Sequence, residues 1–381
     1  MPERRDSRTA RLVVALVFGF VVVAAGGAQA TASDGAKPPT VDFLGQAILP
    51  TGTTFAGTTI GGLSSISYDE DRGAFYVLSD DPSQFQPARF YTLHLDIGDG
   101  ALAAGDVHFD AVTTLEGPDG LPYPSFSLDP EGLTLTKDRE LVVTSEGIAT
   151  RQIAPWVRTY GLDGTMTGEL AVPGTFAPTA DGTHGVRQNL AFEAAAVAPN
   201  GRFLFVGMEG ALVQDGPPAT LSGGSPARIL RYNLSTERLD RQYVYWTDPI
   251  AEPPVPVTNF AVNGLVELLP FNNEFMLSME RSFSVGAPET GNTIRLYRVG
   301  FPGSDDVNGA DSLAAALSGI QPVSKALLLD LDTLGIPLDN VEGMTLGPTL
   351  PDGRRSLVLV SDNNFAGSQF TQFLLFALSQ S

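Results

Sequence analysis

The 381-residue chain carries 43 acidic against 23 basic residues, a formal net charge of −20, and no cysteine. Such a surface excludes nucleic acid and anionic lipid as partners, since both are held by basic patches. The missing cysteine excludes disulfides, thiol catalysis and thiolate metal sites, so stability has to come from a large core, helped by any cation the negative surface attracts.

At the start of the chain, Arg4, Arg5, Arg8 and Arg11 precede an apolar stretch from Leu12 to Ala25, and Ala28-Gln29-Ala30 reads as a cleavage site. The pattern predicts a secretory signal peptide over residues 1–30, because the run is short for a bilayer span and basic only on its leading side. An uncleaved anchor is the alternative. The mature protein is expected in the periplasm or the medium, without a stable membrane span. Residues 1–30 hold four arginines against Glu3 and Asp6, so its charge would be −22. Residues 31–40 are polar and contain proline, and are expected to be a disordered leader.

From Val41 onward short β-branched and aromatic runs alternate with Gly, Pro, Asp and Asn, which predicts an all-β domain over residues 41–381. Asp311 to Ser318 is the exception, with a capping Asp and good helix formers, and reads as a short helix. A unit recurs five times: a strand opening on Gly or Glu-Gly, a turn, then an apolar strand closing on an acidic pair. Its copies are Gly61–Asp81, Asp129–Gly147, Phe192–Gly210, Val262–Arg281 and Val341–Asn364. A third strand follows each copy, and a fourth follows four of them. The repeat predicts a β-propeller of five blades, with six as the alternative, and two β-sandwiches would not produce it. The unpartnered strand near Val41–Leu49 is expected to complete the last blade and close the ring, leaving no free sheet edge.

In a propeller the start of each first strand and the end of each second strand lie at the same channel mouth. Glu131, Glu193 and Glu342 open first strands; Asp80, Glu146, Glu209, Glu280 and Asp362 close second strands, with Asp81, Asn363 and Asn364 beside them. A carboxylate funnel is therefore expected. Its members can bond to loop backbones, take up protons, or hold a cation. Hard oxygen donors without cysteine or clustered histidine favour Ca²⁺, with Asp80, Glu131, Glu146, Glu193, Glu209, Glu342 and Asp362 as ligands.

The pairings Gly-Leu-Ser…Leu-Ser-Asp-Asp, Asp-Pro-Glu-Gly-Leu…Ser-Glu-Gly, Asn-x-x-Phe-Glu…Pro-Asn-Gly-Arg and Glu-Gly-Met…Ser-Asp-Asn-Asn resemble the phytase-like family, often described as esterase-like activity of phytase. The resemblance runs from about Val41 to Leu378. It implies an exported propeller and, by analogy with β-propeller phytases, a calcium-dependent phosphoester hydrolase acting on a phosphate ester or other small anionic substrate. Asp129, Glu131, Glu146, Glu193, Glu342 and Asp362 match the acidic pattern; Ala194 stands where other units have Gly, and Asn263 where a Glu is expected. In such a hydrolase Glu131, Glu193 and Glu342 are the catalytic carboxylates, while Arg187, Arg281 and Asn363 would bind substrate. Of the three histidines, His184, in a Gly-containing loop beside Arg187, is the candidate acid or base.

No Gly-x-Ser-x-Gly elbow occurs, which speaks against a serine esterase. A non-catalytic binding propeller with structural calcium, or a metal-dependent lactonase-type hydrolase, remains open. The protein is expected to be a monomer.

Overall fold

The computed structural model describes residues 40–379 apart from residue 273. The expected signal peptide, residues 1–30, and most of the expected leader lie outside the described residues; the first strand begins at Thr40. None of the described helices is long and apolar enough to cross a membrane.

Five four-stranded antiparallel sheets follow one another in the chain. After β1 (Thr40–Leu49) and a small hairpin of β2 (Thr54–Phe55) and β3 (Thr58–Thr59), blade 1 is β4 (Leu63–Asp69), β5 (Ala74–Ser79), β6 (Arg89–Leu95) and β7 (Val107–Thr114). Blade 2 is β8 (Pro130–Leu135), β9 (Leu141–Ser145), β10 (Trp156–Tyr160) and β11 (Met166–Leu170). Blade 3 is β12 (Phe192–Val197), β13 (Phe203–Met208), β14 (Pro226–Asn233) and β15 (Arg238–Trp246). Blade 4 is β16 (Ala261–Pro270), β17 (Phe275–Ser284), β18 (Asn292–Gly300) and β19 (Ser324–Asp330). Blade 5 is β20 (Asn340–Thr349), β21 (Arg355–Asp362) and β22 (Thr371–Ser379), and its outer strand is β1. β1 pairs with β22 from Thr40↔Ser379 to Leu49↔Thr371, so the first strand closes the ring as the sequence predicts.

Strand alternation explains why the blades stack, since successive side chains point to opposite faces. Phe75 and Val77 of β5 pack toward blade 5, against Val358, Val360, Phe373 and Leu375. Tyr76 and Leu78, on the other face, pack toward blade 2, against Leu133, Leu141 and Val143. Three more apolar clusters fill the junctions of blades 2 and 3, 3 and 4, and 4 and 5. Each fully buried aliphatic or aromatic side chain contributes about 1.5–3 kcal/mol, which is how a chain without disulfides holds a ring together.

The helix expected at Asp311–Ser318 is not formed; the segment holds turns and a single 3₁₀ turn at Leu317–Gly319. Eight residues make a marginal helix in water, and here the backbone is committed elsewhere. Leu313 N–H donates to Asp215 at 2.9 Å, the Ala310 carbonyl accepts from Arg228 at 3.0 Å, and Val307 and Val323 N–H groups bond to the edge of β15. The insertion is a strap from blade 4 laid along blade 3.

Candidate functional site at the channel mouth

The backbone at the start of each blade aims the acidic side chains. In all five blades the ladder between the first two strands slips by one residue near the mouth. Such a bulge bends the strand and re-aims a side chain. The extra residue is Ser64, Glu193, Val266 and Glu342 in blades 1, 3, 4 and 5, and in blade 2 the bulge takes in Glu131 and Gly132. On the second strand, the residue just past the pair that flanks the bulge is Asp80, Glu146, Glu209, Arg281 and Asp362 in turn. Four carboxylates and one guanidinium thus occupy one fivefold-repeated position.

This register corrects two alignments made on sequence. Glu280 is not the fourth closing acid: it stands one residue earlier and turns toward blade 3, where it accepts from Tyr245 Oη and Asp248 N–H, and it also accepts from Asn263 Nδ2 and Lys325 Nζ of its own blade. Asn263 does not replace the missing opening Glu, because Val266 holds that place. The periodic acidic signal in the fourth unit was one residue out of phase with the ladder, and a slip of one residue exchanges the two faces of a strand.

Asp80, Glu131, Glu146, Glu193, Glu209, Glu342 and Asp362 all line one cavity of about 670 Å³, together with Asp129, Asp339 and Arg281. Glycine makes the crowding possible at two points. A Cβ on Gly62, which has φ +63°, would lie 1.9 Å from Asp80 Oδ1, and one on Gly264 would lie 2.1 Å from Glu209 Cγ. Asp129, Glu131 and Glu146 bring one oxygen each within 4.8 Å of one another, as do Glu146, Glu193 and Glu209. Glu146 belongs to both trios.

Burial first, and repulsion by neighbouring carboxylates second, push Asp80, Glu131 and Glu193 well above the ordinary carboxylate range, and Glu146 likewise, although Ala191 N–H donates to it. Burial raises Asp129 to about 7 and Glu209 to about 7, the latter against the pull of Arg281. Asp362 rises to about 8, by burial and then by Glu342. Glu342 is raised by burial too, with Arg281 opposing. Arg281 donates to Glu342 at 2.9 Å and stands 3.4 Å from Glu209. Glu146, Glu193 and Glu209 bring their carboxyl oxygens close enough to share protons or to hold a cation between them.

A divalent cation fits this donor set. Calcium takes carboxylate oxygens at about 2.3–2.6 Å, so oxygens on opposite sides of one ion lie roughly 5 Å apart. Glu209 Oε1, moreover, is buried with no hydrogen-bond donor. Arg281 Nη2 stands 3.4 Å from that oxygen without making a hydrogen bond, and a bound cation would give it a direct partner.

Three sequence candidates are not brought to the cavity lining. Arg187 donates to the Gly216 carbonyl at 2.7 Å and fastens a loop. His184 is exposed, bonded to Thr183 beside it. Asn363 is buried, accepting from Gly62 N–H at 3.2 Å and Phe365 N–H at 3.0 Å, and its neighbour Asn364 reaches the cavity instead. Asp81 forms a fully buried pair with Arg89 at 2.8 Å and accepts three backbone N–H groups of its own loop. Below the ring lies a carboxyl that the sequence reading passed over. Glu267 accepts from Ser65 Oγ at 3.0 Å and Leu268 N–H at 2.9 Å, joining blades 4 and 1, and burial pushes it well up. A Glu inside the apolar run Leu265-Val266-Glu267-Leu268-Leu269 was its signal.

The family model described as "Phytase-like: Esterase-like activity of phytase" matches residues 58–365. An "Uncharacterized secreted protein" of Arthroderma benhamiae is 24% identical over 243 residues, 54% of this chain and 47% of that protein; the match spans about half the length of that relative. Among solved structures, an endo-arabinase from Bacteroides thetaiotaomicron is similar at 10% identity and a TM-score of 0.47, over 87% of this chain and 97% of that one. A periplasmic gluconolactonase of Pseudomonas aeruginosa is similar at 13% identity and a TM-score of 0.36, over 89% and 96%.

Proposed function

From the premise that this chain belongs to the phytase-like family, esterase-like activity of phytase, we propose that it is an exported, calcium-dependent phosphoester hydrolase working at the channel mouth. The observation that carries this reading is the convergence of carboxylates from all five blades on one cavity that also holds, among the described residues, a single guanidinium. The trios Asp129–Glu131–Glu146 and Glu146–Glu193–Glu209 would hold the metal. When bound, calcium supplies Lewis-acid polarisation of a phosphoryl oxygen and a more acidic water.

The chain's own residues supply the rest. Arg281 has a two-pronged donor group for phosphate oxygens, and its charge is kept by Glu209, Glu342 and Glu193 against the effect of burial. Asp362, outside both trios and raised to about 8, exchanges a proton near neutral pH, as a general acid or base requires. Hydrolysis forms a bond from water oxygen to phosphorus and breaks the ester P–O bond; the water's proton passes through a ring carboxyl to the leaving alcohol.

The test is phosphate release from p-nitrophenyl phosphate and phytate by the purified protein, with calcium and with chelator. Calcium-dependent release supports the proposal. No release under any metal condition overturns it, and a melting temperature that still responds to chelator would then leave a binding propeller with structural calcium.

A further inference from the structure

The blade 4 wall of the cavity carries its apolar side chains as well as Glu289. Phe260, Val262 and Phe283 line it beside Arg281. Their placement follows from the blade 4 hairpin: Val262 is the ladder partner of Phe283, and Phe283 lies two residues beyond Arg281 on the same face of β17. The Phe260 ring stands 6.4 Å from that of Phe283, at 44°. Phe260 is 63% exposed while lining the cavity, so its ring offers apolar surface to a bound group. Its loop is tied down, for Val285 N–H donates to the Phe260 carbonyl at 3.0 Å and Val255 N–H to the Val285 carbonyl at 2.9 Å. The backbone that carries the ring at the cavity wall is therefore fixed by hydrogen bonds.

We infer that Phe260, with Val262 and Phe283, forms a subsite for the organic part of the substrate, and that the preferred substrates are phosphomonoesters of apolar alcohols or phenols rather than polyphosphorylated polyols. The inference rests on the hydrolase reading above. A cavity of about 670 Å³ is of the size that encloses a small organic ligand. It offers one arginine, already shared between Glu209 and Glu342, within a ring of carboxylates. One phosphate can be matched there by the arginine and a bound cation; further phosphates around a polyol ring would face carboxylates. An aryl or alkyl group beside the matched phosphate meets Phe260 instead, and burying it there is favourable.

The experiment compares kcat/KM for 1-naphthyl phosphate, glycerol 2-phosphate and phytate in the wild-type protein, Phe260→Ser and Phe260→Tyr. The wild type is expected to prefer 1-naphthyl phosphate. Phe260→Ser should reduce its kcat/KM through KM, by about tenfold more than that for glycerol 2-phosphate, and Phe260→Tyr should retain the preference. Equal losses for both monoesters, or phytate as the best wild-type substrate, would overturn the inference while leaving the hydrolase reading intact. Binding of phenylphosphonate against methylphosphonate, followed by calorimetry, tests the subsite independently of turnover. If no substrate is cleaved, a phenyl preference that Phe260→Ser abolishes still supports the apolar subsite, and equal binding of the two probes overturns it.

Discussion

Arg281 of blade 4 donates to Glu342 of blade 5 at 2.9 Å while standing 3.4 Å from Glu209 of blade 3, so one cation spans three blades at the mouth. Arg281→Met removes the only positive charge among the described residues that line the cavity. In the proposed hydrolase kcat/KM should fall by about a hundredfold, the cost of losing one preorganised donor to developing charge. The chelated variant should also melt below wild type at pH 8 and approach it at pH 5, where protons replace the missing cation. Calcium-dependent turnover close to wild type would remove Arg281 from the site.

Much of this arrangement was legible in the sequence, because the propeller and its mouth are written in a repeat. Seven predicted ligands share one cavity. What was not legible was phase. A bulge adds one residue to the first strand of each blade without any sequence mark, so Glu280 and Arg281 could not be told apart as mouth residues until the ladder was known. Arg187 and Asn363 share the composition of site residues, yet they fasten loops. That use depends on carbonyl and N–H groups far away in sequence, such as those of Gly216 and Gly62.

The raised carboxyls make a prediction about pH. Asp129 and Glu209 sit at about 7 and Asp362 at about 8 in the folded protein, against roughly 4 for the unfolded chain. Between about pH 4 and 8 the folded state therefore binds more protons than the unfolded state, and stability falls as pH rises through that window. In chelator the melting temperature should drop steadily from pH 5 to pH 8. Calcium at a hundredfold its dissociation constant adds about 2.7 kcal/mol, so the drop should shrink in its presence. A chelated protein that melts at the same temperature across this range would contradict the proton-holding ring.

Glu267 offers a contrast between charge and shape. Burial pushes its carboxyl well above the ordinary range, and its hydrogen bonds come from Ser65 and Leu268. A neutral carboxyl is close to an amide in shape, so Glu267→Gln should cost under about 1 kcal/mol at pH 7. Glu267→Ala strands the Leu268 N–H, at roughly 1–3 kcal/mol for an unsatisfied group, while Ser65 Oγ keeps the Leu133 carbonyl at 3.2 Å. Urea unfolding distinguishes the two. Equal losses for Gln and Ala would mean that the carboxyl is ionised.

Outside the lining of the mouth cavity, Arg228 and Asp215 form a fully buried two-pronged pair, with Nε–Oδ2 at 2.7 Å and Nη2–Oδ1 at 2.9 Å. The same groups hold the blade 4 strap: Asp215 accepts from Leu313 N–H and Arg228 donates to the Ala310 carbonyl. Arg228→Met leaves a buried carboxylate without its counter-charge, and the expected loss is about 3–5 kcal/mol. Asp215→Leu alone strands the guanidinium and should cost a similar amount. The double variant removes both charges and should recover part of the loss, since two apolar side chains can pack where an ion pair stood. Additive losses in urea unfolding would show that the two side chains act separately, and that the strap is held by its backbone bonds to β15 instead.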